Sequence, residues 1–133
     1  MRTLYHLWLS PFSRKIRIVL IEKNLDFQMI VEETWERRHE FLALNPTGEV
    51  PVLIEQDDTV LAESSVICEY LEEKYPEPGL IGKNLHDRAE VRRLVAWFDQ
   101  KFNKEVTEKL LNEKVMKRFL GLGEPDSREI RAA

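Results

Sequence analysis

The chain has 133 residues, of which 43% are apolar, 33% charged and 9% aromatic, a composition that supports a buried core and excludes a disordered or fibrous protein. Its single cysteine, Cys68, excludes an internal disulfide framework and a zinc cluster and points to a reducing compartment. The formal charge of -4 is uneven, with nine Lys and Arg against 15 Asp and Glu over residues 1–84 and nine against six over 85–118; an acidic first region argues against nucleic acid as a partner.

In chain order, Leu4 to Leu9 is an apolar, aromatic-rich run that predicts a buried strand ending at Ser10-Pro11-Phe12-Ser13. It is too short for a secretory leader, and no apolar run approaches the roughly 18 residues of a membrane span. A cytoplasmic protein without a membrane partner is therefore expected. From Pro11 to about Asn24, Ile16, Ile18, Val19, Leu20 and Ile21 share a segment with Arg14, Lys15, Arg17 and Glu22, which predicts a helix. Pro11 suits its first position and Ser10 its cap. A hydroxyl there has a second use, since with the helix dipole it can donate to a bound thiolate and lower that thiol's pKa. Capping alone and capping with chemistry both fit Ser10. Phe27 to Val31 follows as a strand and Trp35 to Leu44 as a helix.

Residues 45–65 are the most informative stretch. Val52-Leu53-Ile54 and Thr59-Val60-Leu61, parted by Gln56-Asp57-Asp58, predict an antiparallel hairpin. Pro51 opens its first strand, where it donates nothing to a ladder, and Val50-Pro51 is a candidate cis bond; an ordinary trans proline also fits. A cis bond would leave the Val50 backbone free to pair with a ligand's main chain. After the hairpin, Ser64 and Ser65 precede Val66, Ile67, Tyr70 and Leu71 at helical spacing, which predicts that the serines cap a helix. Helix N-termini hold carboxylates, yet Glu63 sets a carboxylate beside this one. A ligand carrying both an ammonium and a carboxylate reconciles the two. Cys68 shares this helix with Val66, Ile67 and Leu71, so inert burial is expected of it.

Tyr75 to Gly82, with two prolines and two glycines, reads as a linker. The expected organisation is a first domain over 1–75, a linker over 76–84 and a helical region over 85–133. Asp87 caps or enters a segment free of Pro and Gly until Gly121, with Val91, Leu94, Val95, Phe98, Phe102, Val106 and Leu110 at threes and fours. At about 1.5 Å per residue it would run on the order of 50 Å, against a radius of gyration of roughly 12 Å for an 84-residue globule. Its apolar face therefore calls for further helices or a second subunit.

Taken together, strand, Ser-Pro-Phe-Ser, helix, strand, helix, Asn-Pro-Thr-Gly-Glu-Val-Pro-Val-Leu, hairpin and Glu-Ser-Ser helix resemble the N-terminal thioredoxin-like domain of cytosolic glutathione S-transferases. The match covers residues 1 to about 75, and the long helix continues it. The resemblance implies an α/β fold, βαβαββα, whose four-stranded mixed sheet carries helices on both faces, followed by the first one or two helices of an all-α domain. It implies a catalytic Ser10 at the glutathione sulfur, with Ser10-x-x-Ser13 where thioredoxins carry Cys-x-x-Cys. Val50 would pair with the cysteinyl main chain beside a cis Pro51, and Glu63 and Ser64 would hold the γ-glutamyl end. Glutathione would be a co-substrate with a small electrophile, near Trp97 or Phe98, in a homodimer without metal. One departure stands out. Several branches place Lys or Gln before the Val-Pro pair, or a Lys in the second helix, to meet the glycine carboxylate; here that first position is Glu49, and His39, among Arg37, Arg38 and His39, is the expected substitute by position.

A finer likeness lies in Glu33-Thr34-Trp35-Glu36-Arg37-Arg38 and in Val91 to Phe102. These runs are similar to the glutathione S-transferase-like cell-division proteins of alphaproteobacteria, which bind the tubulin homologue FtsZ. That likeness implies an alternative, a non-catalytic binding module in cell division with Trp35 as an anchor for FtsZ.

Overall fold

Along the first strand, β1 (Arg2–His6), Arg2, Leu4 and His6 are buried and alternate with half-buried Thr3 and Tyr5, so the pleat assigns the two sets to opposite faces. In the computed structural model, which describes residues 1–133, β1 pairs in parallel with β2 (Phe27–Val31) and antiparallel with β3 (Val52–Ile54). The hairpin partner β4 (Val60–Leu61) completes a four-stranded mixed sheet in the order β2-β1-β3-β4. Leu4 stands opposite both Met29 and Leu53. On its face the core joins Ile16 and Leu20 of α1 (Pro11–Glu22) to Leu53, Leu61, and Ile67 and Leu71 of α3 (Ser64–Lys74). The opposite face carries Tyr5, whose ring meets Phe41 of α2 (His39–Leu44) with centroids 5.6 Å apart. Helices thus cover both faces of the sheet, as the thioredoxin-like pattern requires.

The expected elements are present, with four corrections. The first strand ends at His6 rather than Leu9, because the Leu7 carbonyl turns to accept from Ser10 N at 3.3 Å and from Arg17 Nη1 at 3.3 Å. The helix expected over Trp35–Leu44 is split into a 3-10 turn (Thr34–Glu36) and α2, since Arg37 adopts φ +51° and the extended Arg38 forks onto buried Glu32 at 2.7 and 3.1 Å. In α3 the cap position falls on Glu63, with Ser64 and Ser65 inside the first turn; the Ser65 hydroxyl donates to the Glu63 carboxylate instead of capping. Asn84, not Asp87, caps the long helix, its Oδ1 accepting from Asp87 N at 2.9 Å.

The chain divides into two compact units, Met1–Leu80 and Ile81–Ala133. Two buried ion pairs, neither among the residues that line its cleft, tie the first unit together. The carboxylate of Glu55, 2% exposed, accepts from Arg2 Nε at 2.6 Å, Tyr75 OH at 2.9 Å and Lys74 Nζ at 3.1 Å. Lys23 Nζ reaches the Tyr75 and Pro78 carbonyls at 2.7 and 2.8 Å and Glu72 at 2.8 Å, so the residues after α3 are held against the end of α1.

The second unit opens with α4 (Leu85–Ala96). Helical conformation continues through a π-type segment (Trp97–Thr107), α5 (Glu108–Leu111), a second π-type segment (Asn112–Met116) and α6 (Lys117–Phe119). With no Pro or Gly to interrupt it, the run ends only at Gly121, which adopts φ +67°. After the turn α7 (Ser127–Ala132) begins, and buried Glu113 accepts from Asp126 N at 2.5 Å and Lys117 Nζ at 2.8 Å. Trp97, Phe98 and Phe102 pack their rings together at 4.9 to 5.7 Å, yet Leu94, Trp97, Phe98 and Phe119 remain exposed. No helix is long and apolar enough to cross a membrane.

Candidate functional site

The first unit contains a cleft of about 230 Å³ lined by Phe12, Asn45, Thr47, Glu49, Val50, Pro51, Ala62, Glu63 and Ser64. Three sequence segments meet there, and each arrives by a local backbone device. Asn45, 7% exposed, closes the loop after α2: its Nδ2 donates to the Glu49 carbonyl at 2.9 Å, and its backbone carbonyl accepts from Gly48 N at 2.9 Å. Gly48 takes φ +72°, and a Cβ there would lie 2.5 Å from Arg37 Nη1 and 3.0 Å from Leu42, so this turn requires glycine.

Beyond that turn, Val50-Pro51 is cis and Pro51 is buried. The β1–β3 ladder ends with the rung Tyr5–Val52, and no backbone hydrogen bond of the chain uses the N–H or C=O of Val50. An unpaired donor and acceptor therefore border the cleft, ready for an extended peptide backbone. Next to them the N-terminus of α3 opens. Its first internal bond runs from Ile67 N to Glu63 O, leaving the N–H groups of Ser64, Ser65 and Val66 without helical partners. Ser64 is 4% exposed and lines the cleft. Glu63, joined through a cis Ala62-Glu63 bond, adds a carboxylate at the same point. Carboxylate-binding and ammonium-binding groups thus stand side by side, which suits a zwitterionic head.

The N-terminus of α1 borders the cleft through Phe12. Ser10, half-buried, caps this helix, its Oγ accepting from Ser13 N at 3.1 Å. That bond uses a lone pair and leaves the hydroxyl proton to donate outward. The loop that carries Ser10 is fixed from inside: fully buried Ser13 accepts from Leu7 N at 3.3 Å, and Arg17 Nη1 reaches the Leu7 carbonyl and, at 3.0 Å, His6 Nδ1. Arg17 also lies over the Trp8 ring at 4.9 Å. Burial and then the Arg17 charge hold the His6 imidazole below its ordinary pKa. An arginine N–H can only donate, so His6 accepts through Nδ1, while its buried Nε2 has no partner.

Val50, Pro51, Glu63 and Ser64 are thus brought together in the cleft, whereas Ser10, the cap of α1 two residues before the lining residue Phe12, is not itself among the lining residues. His39 is exposed at the first residue of α2 and is not among the lining residues. Arg38 is held by Glu32, whereas the Arg37 guanidinium packs on Gly48, next to Glu49. Trp35 is half-buried in the 3-10 turn. Phe12, Asn45 and Thr47 were not anticipated as site residues; the Asn-Pro-Thr-Gly turn was a local signal for the last two, but Phe12 reads only as helix. The His6–Arg17 contact had no local signal, since it joins a strand to the second turn of a helix.

Residues 4–79 match the family model described as glutathione S-transferase, N-terminal domain. The chain is 46% identical over 133 residues to FtsZ-localized protein A of Caulobacter vibrioides, covering 98% of this chain and 58% of that protein. It is 44% identical over 89 residues to glutathione S-transferase 1 of Dianthus caryophyllus, covering 65% of this chain and 40% of that protein. Among solved structures, a glutathione S-transferase from Rhodospirillum rubrum superposes with a TM-score of 0.97 at 60% identity, over 99% of this chain and 60% of that one. The chain therefore spans about 40 to 60% of the length of these relatives.

Proposed function

Since the chain belongs to the glutathione S-transferase family, we propose that it binds glutathione and activates its thiol for transfer to an electrophile. The observation that carries this reading is the meeting, in one cleft, of an unpaired Val50 backbone with the open N-terminus of α3. The γ-glutamyl carboxylate takes the N–H groups and hydroxyl of Ser64, and its ammonium takes Glu63. The cysteinyl N–H and C=O pair with Val50 beside Pro51, which directs the sulfur toward the start of α1. Ser10 then donates its hydroxyl proton in a hydrogen bond to the thiolate, and the helix dipole adds to that stabilisation. The thiol proton passes to solvent and the thiolate lone pair forms the new bond to the electrophile; in a substitution the leaving group departs with the electron pair of the bond it breaks, and in an addition the displaced π electrons of the acceptor take a proton from solvent. The working protein on this reading is cytoplasmic, with 1–75 as its glutathione-binding domain, and forms a homodimer. Isothermal titration with glutathione tests it: saturable binding that Ser64→Ala weakens is the expected result, and absence of binding to the wild-type chain overturns it.

A second reading is favoured by one observation. The match to FtsZ-localized protein A runs over 98% of this chain, into the helical region, whereas the plant transferase matches 65%. On that reading the same fold acts as a module in cell division that grips FtsZ, with Trp35 as an anchor. Co-sedimentation with FtsZ filaments, reduced by Trp35→Ala and indifferent to Ser10→Ala, is its expected signature; a chain that never pellets with filaments refutes it.

A further inference from the structure

The cleft is acidic in a way that the glutathione reading leaves unused. Its lining holds two carboxylates, Glu49 and Glu63, and no lysine, arginine or histidine. Glu63 has a use, the ligand's ammonium, and within the chain it already accepts from Ser65. Glu49 has none: it is exposed and forms no ion pair. The neighbouring cations do not answer it, for Arg38 is taken by Glu32 at 2.7 Å and approaches Glu40 at 3.8 Å, and Arg37 lies on Gly48 without pairing to Glu49.

On the glutathione reading, the position of Glu49 relative to a bound peptide is set by its place next to Val50 in the cleft lining. With the γ-glutamyl end at Glu63 and Ser64 and the cysteinyl backbone at Val50, the peptide's last residue emerges beside Val50's neighbour, Glu49. A tripeptide spans at most about 10 Å, which keeps its C-terminus within the reach of this loop. A free C-terminal carboxylate there meets a like charge, and repulsion disfavours the ligand. An amide at the same point removes the repulsion, and an amine beyond that amide reverses its sign.

Resting on the glutathione reading above, we propose that the preferred ligand of this cleft is a γ-glutamylcysteinyl peptide whose C-terminal carboxylate is masked in an amide that carries an amine, with Glu49 as the selecting group. The chemical class is a thiol peptide joined to a polyamine, in place of the free dicarboxylate peptide. The charges then balance around the cleft: ammonium on Glu63, carboxylate on the α3 N-terminus, and the distal amine on Glu49.

Titration calorimetry with three probes on the full chain tests this: glutathione, its glycine monoethyl ester and glutathionylspermidine. An exposed charge pair changes affinity by roughly two- to fivefold, so the expected order is glutathionylspermidine tightest, ester next and free glutathione weakest, with steps of about that size. Raising the salt concentration compresses the order, Glu49→Gln flattens it and Glu49→Lys inverts it. Free glutathione binding as tightly as the ester, or tighter, overturns the proposal; if Arg37→Gln then abolishes that preference, Arg37 is the group that meets the terminal carboxylate. An order that survives Glu49→Gln unchanged also overturns it. Failure of all three probes to bind removes the glutathione reading itself, and is distinct from equal binding of all three, which removes only the selectivity.

Discussion

Replacing Ser10 separates a structural from a chemical role, because its Oγ performs one task that can be seen and one that is proposed. The visible task is the cap: the hydroxyl oxygen accepts from Ser13 N at 3.1 Å, and Ser13 in turn holds Leu7 N. Ser10→Ala removes that bond at a cost of about 1 kcal/mol in folding stability. The proposed task is donation to the glutathione thiolate, and a hydrogen bond to a charged group contributes about 1.5 to 3 kcal/mol. Divided by about 1.4 kcal/mol per unit, this raises the pKa of the bound thiol by roughly one to two units. Ser10→Asp is the discriminating partner. Aspartate caps as well as serine and suits the helix N-terminus, so stability returns, but an ionised carboxylate donates nothing and repels the thiolate. The assay is the ultraviolet absorbance of the bound thiolate across a pH titration, with urea unfolding in parallel. The expected pattern is a lower urea midpoint for Ser10→Ala alone and a raised thiol pKa for both variants. A bound thiol whose pKa is the same in wild type and Ser10→Ala, while the urea midpoint falls, reduces Ser10 to a cap and refutes the chemical role.

Two further perturbations test the framework that holds the cleft. Burial alone would raise the Glu55 carboxyl, but hydrogen bonds from Tyr75, Arg2 and Lys74 outweigh it and hold the group below its ordinary value. A depressed folded pKa means that this stability is present above the unfolded value, about 4.3, and is lost as pH falls through the folded one. The urea midpoint should therefore drop on acidification, and Glu55→Gln, which leaves buried Arg2 without its counter-ion, should cost about 3 to 5 kcal/mol near neutrality and flatten the acid limb; an acid limb of unchanged depth would show that other carboxylates govern it. Gly48→Ala should destabilise by about 1 to 2 kcal/mol, the left-handed penalty for a residue with Cβ, and displace Arg37, whose Nη1 lies 2.5 Å from the added carbon. Thermal unfolding checks the first effect, and an unaltered melting temperature would contradict the assigned turn.

Much of the fold was legible because its signals are local. Proline and serine placed the start of α1, an apolar, aromatic-rich run placed β1, and the Asn-Pro-Thr-Gly-Glu-Val-Pro run placed the loop and the hairpin and made Val50-Pro51 a candidate cis bond. Each is a matter of backbone dihedrals and side-chain spacing over a few residues, so the chain carries the information without its neighbours. The split of the second helix was not legible, because it depends on Arg38 reaching Glu32, which is buried only once β2 lies in the sheet. Nor was the cap of α3, where Ser65 turned to Glu63 instead of to the backbone.

The sequence by itself determined the order and type of the elements in the first unit, the family they belong to, and the unbroken helical run from Leu85 to Gly121. Only the tertiary structure decided which charges are spent and which are free. Arg2 meets Glu55 across 53 positions and Lys23 meets Glu72 across the interface of two helices, whereas Glu49 is left without a cation in the cleft. The physical reason is range: dihedral preference and periodicity act over one or two turns, but pairing and desolvation depend on which distant groups the packed core brings within about 4 Å.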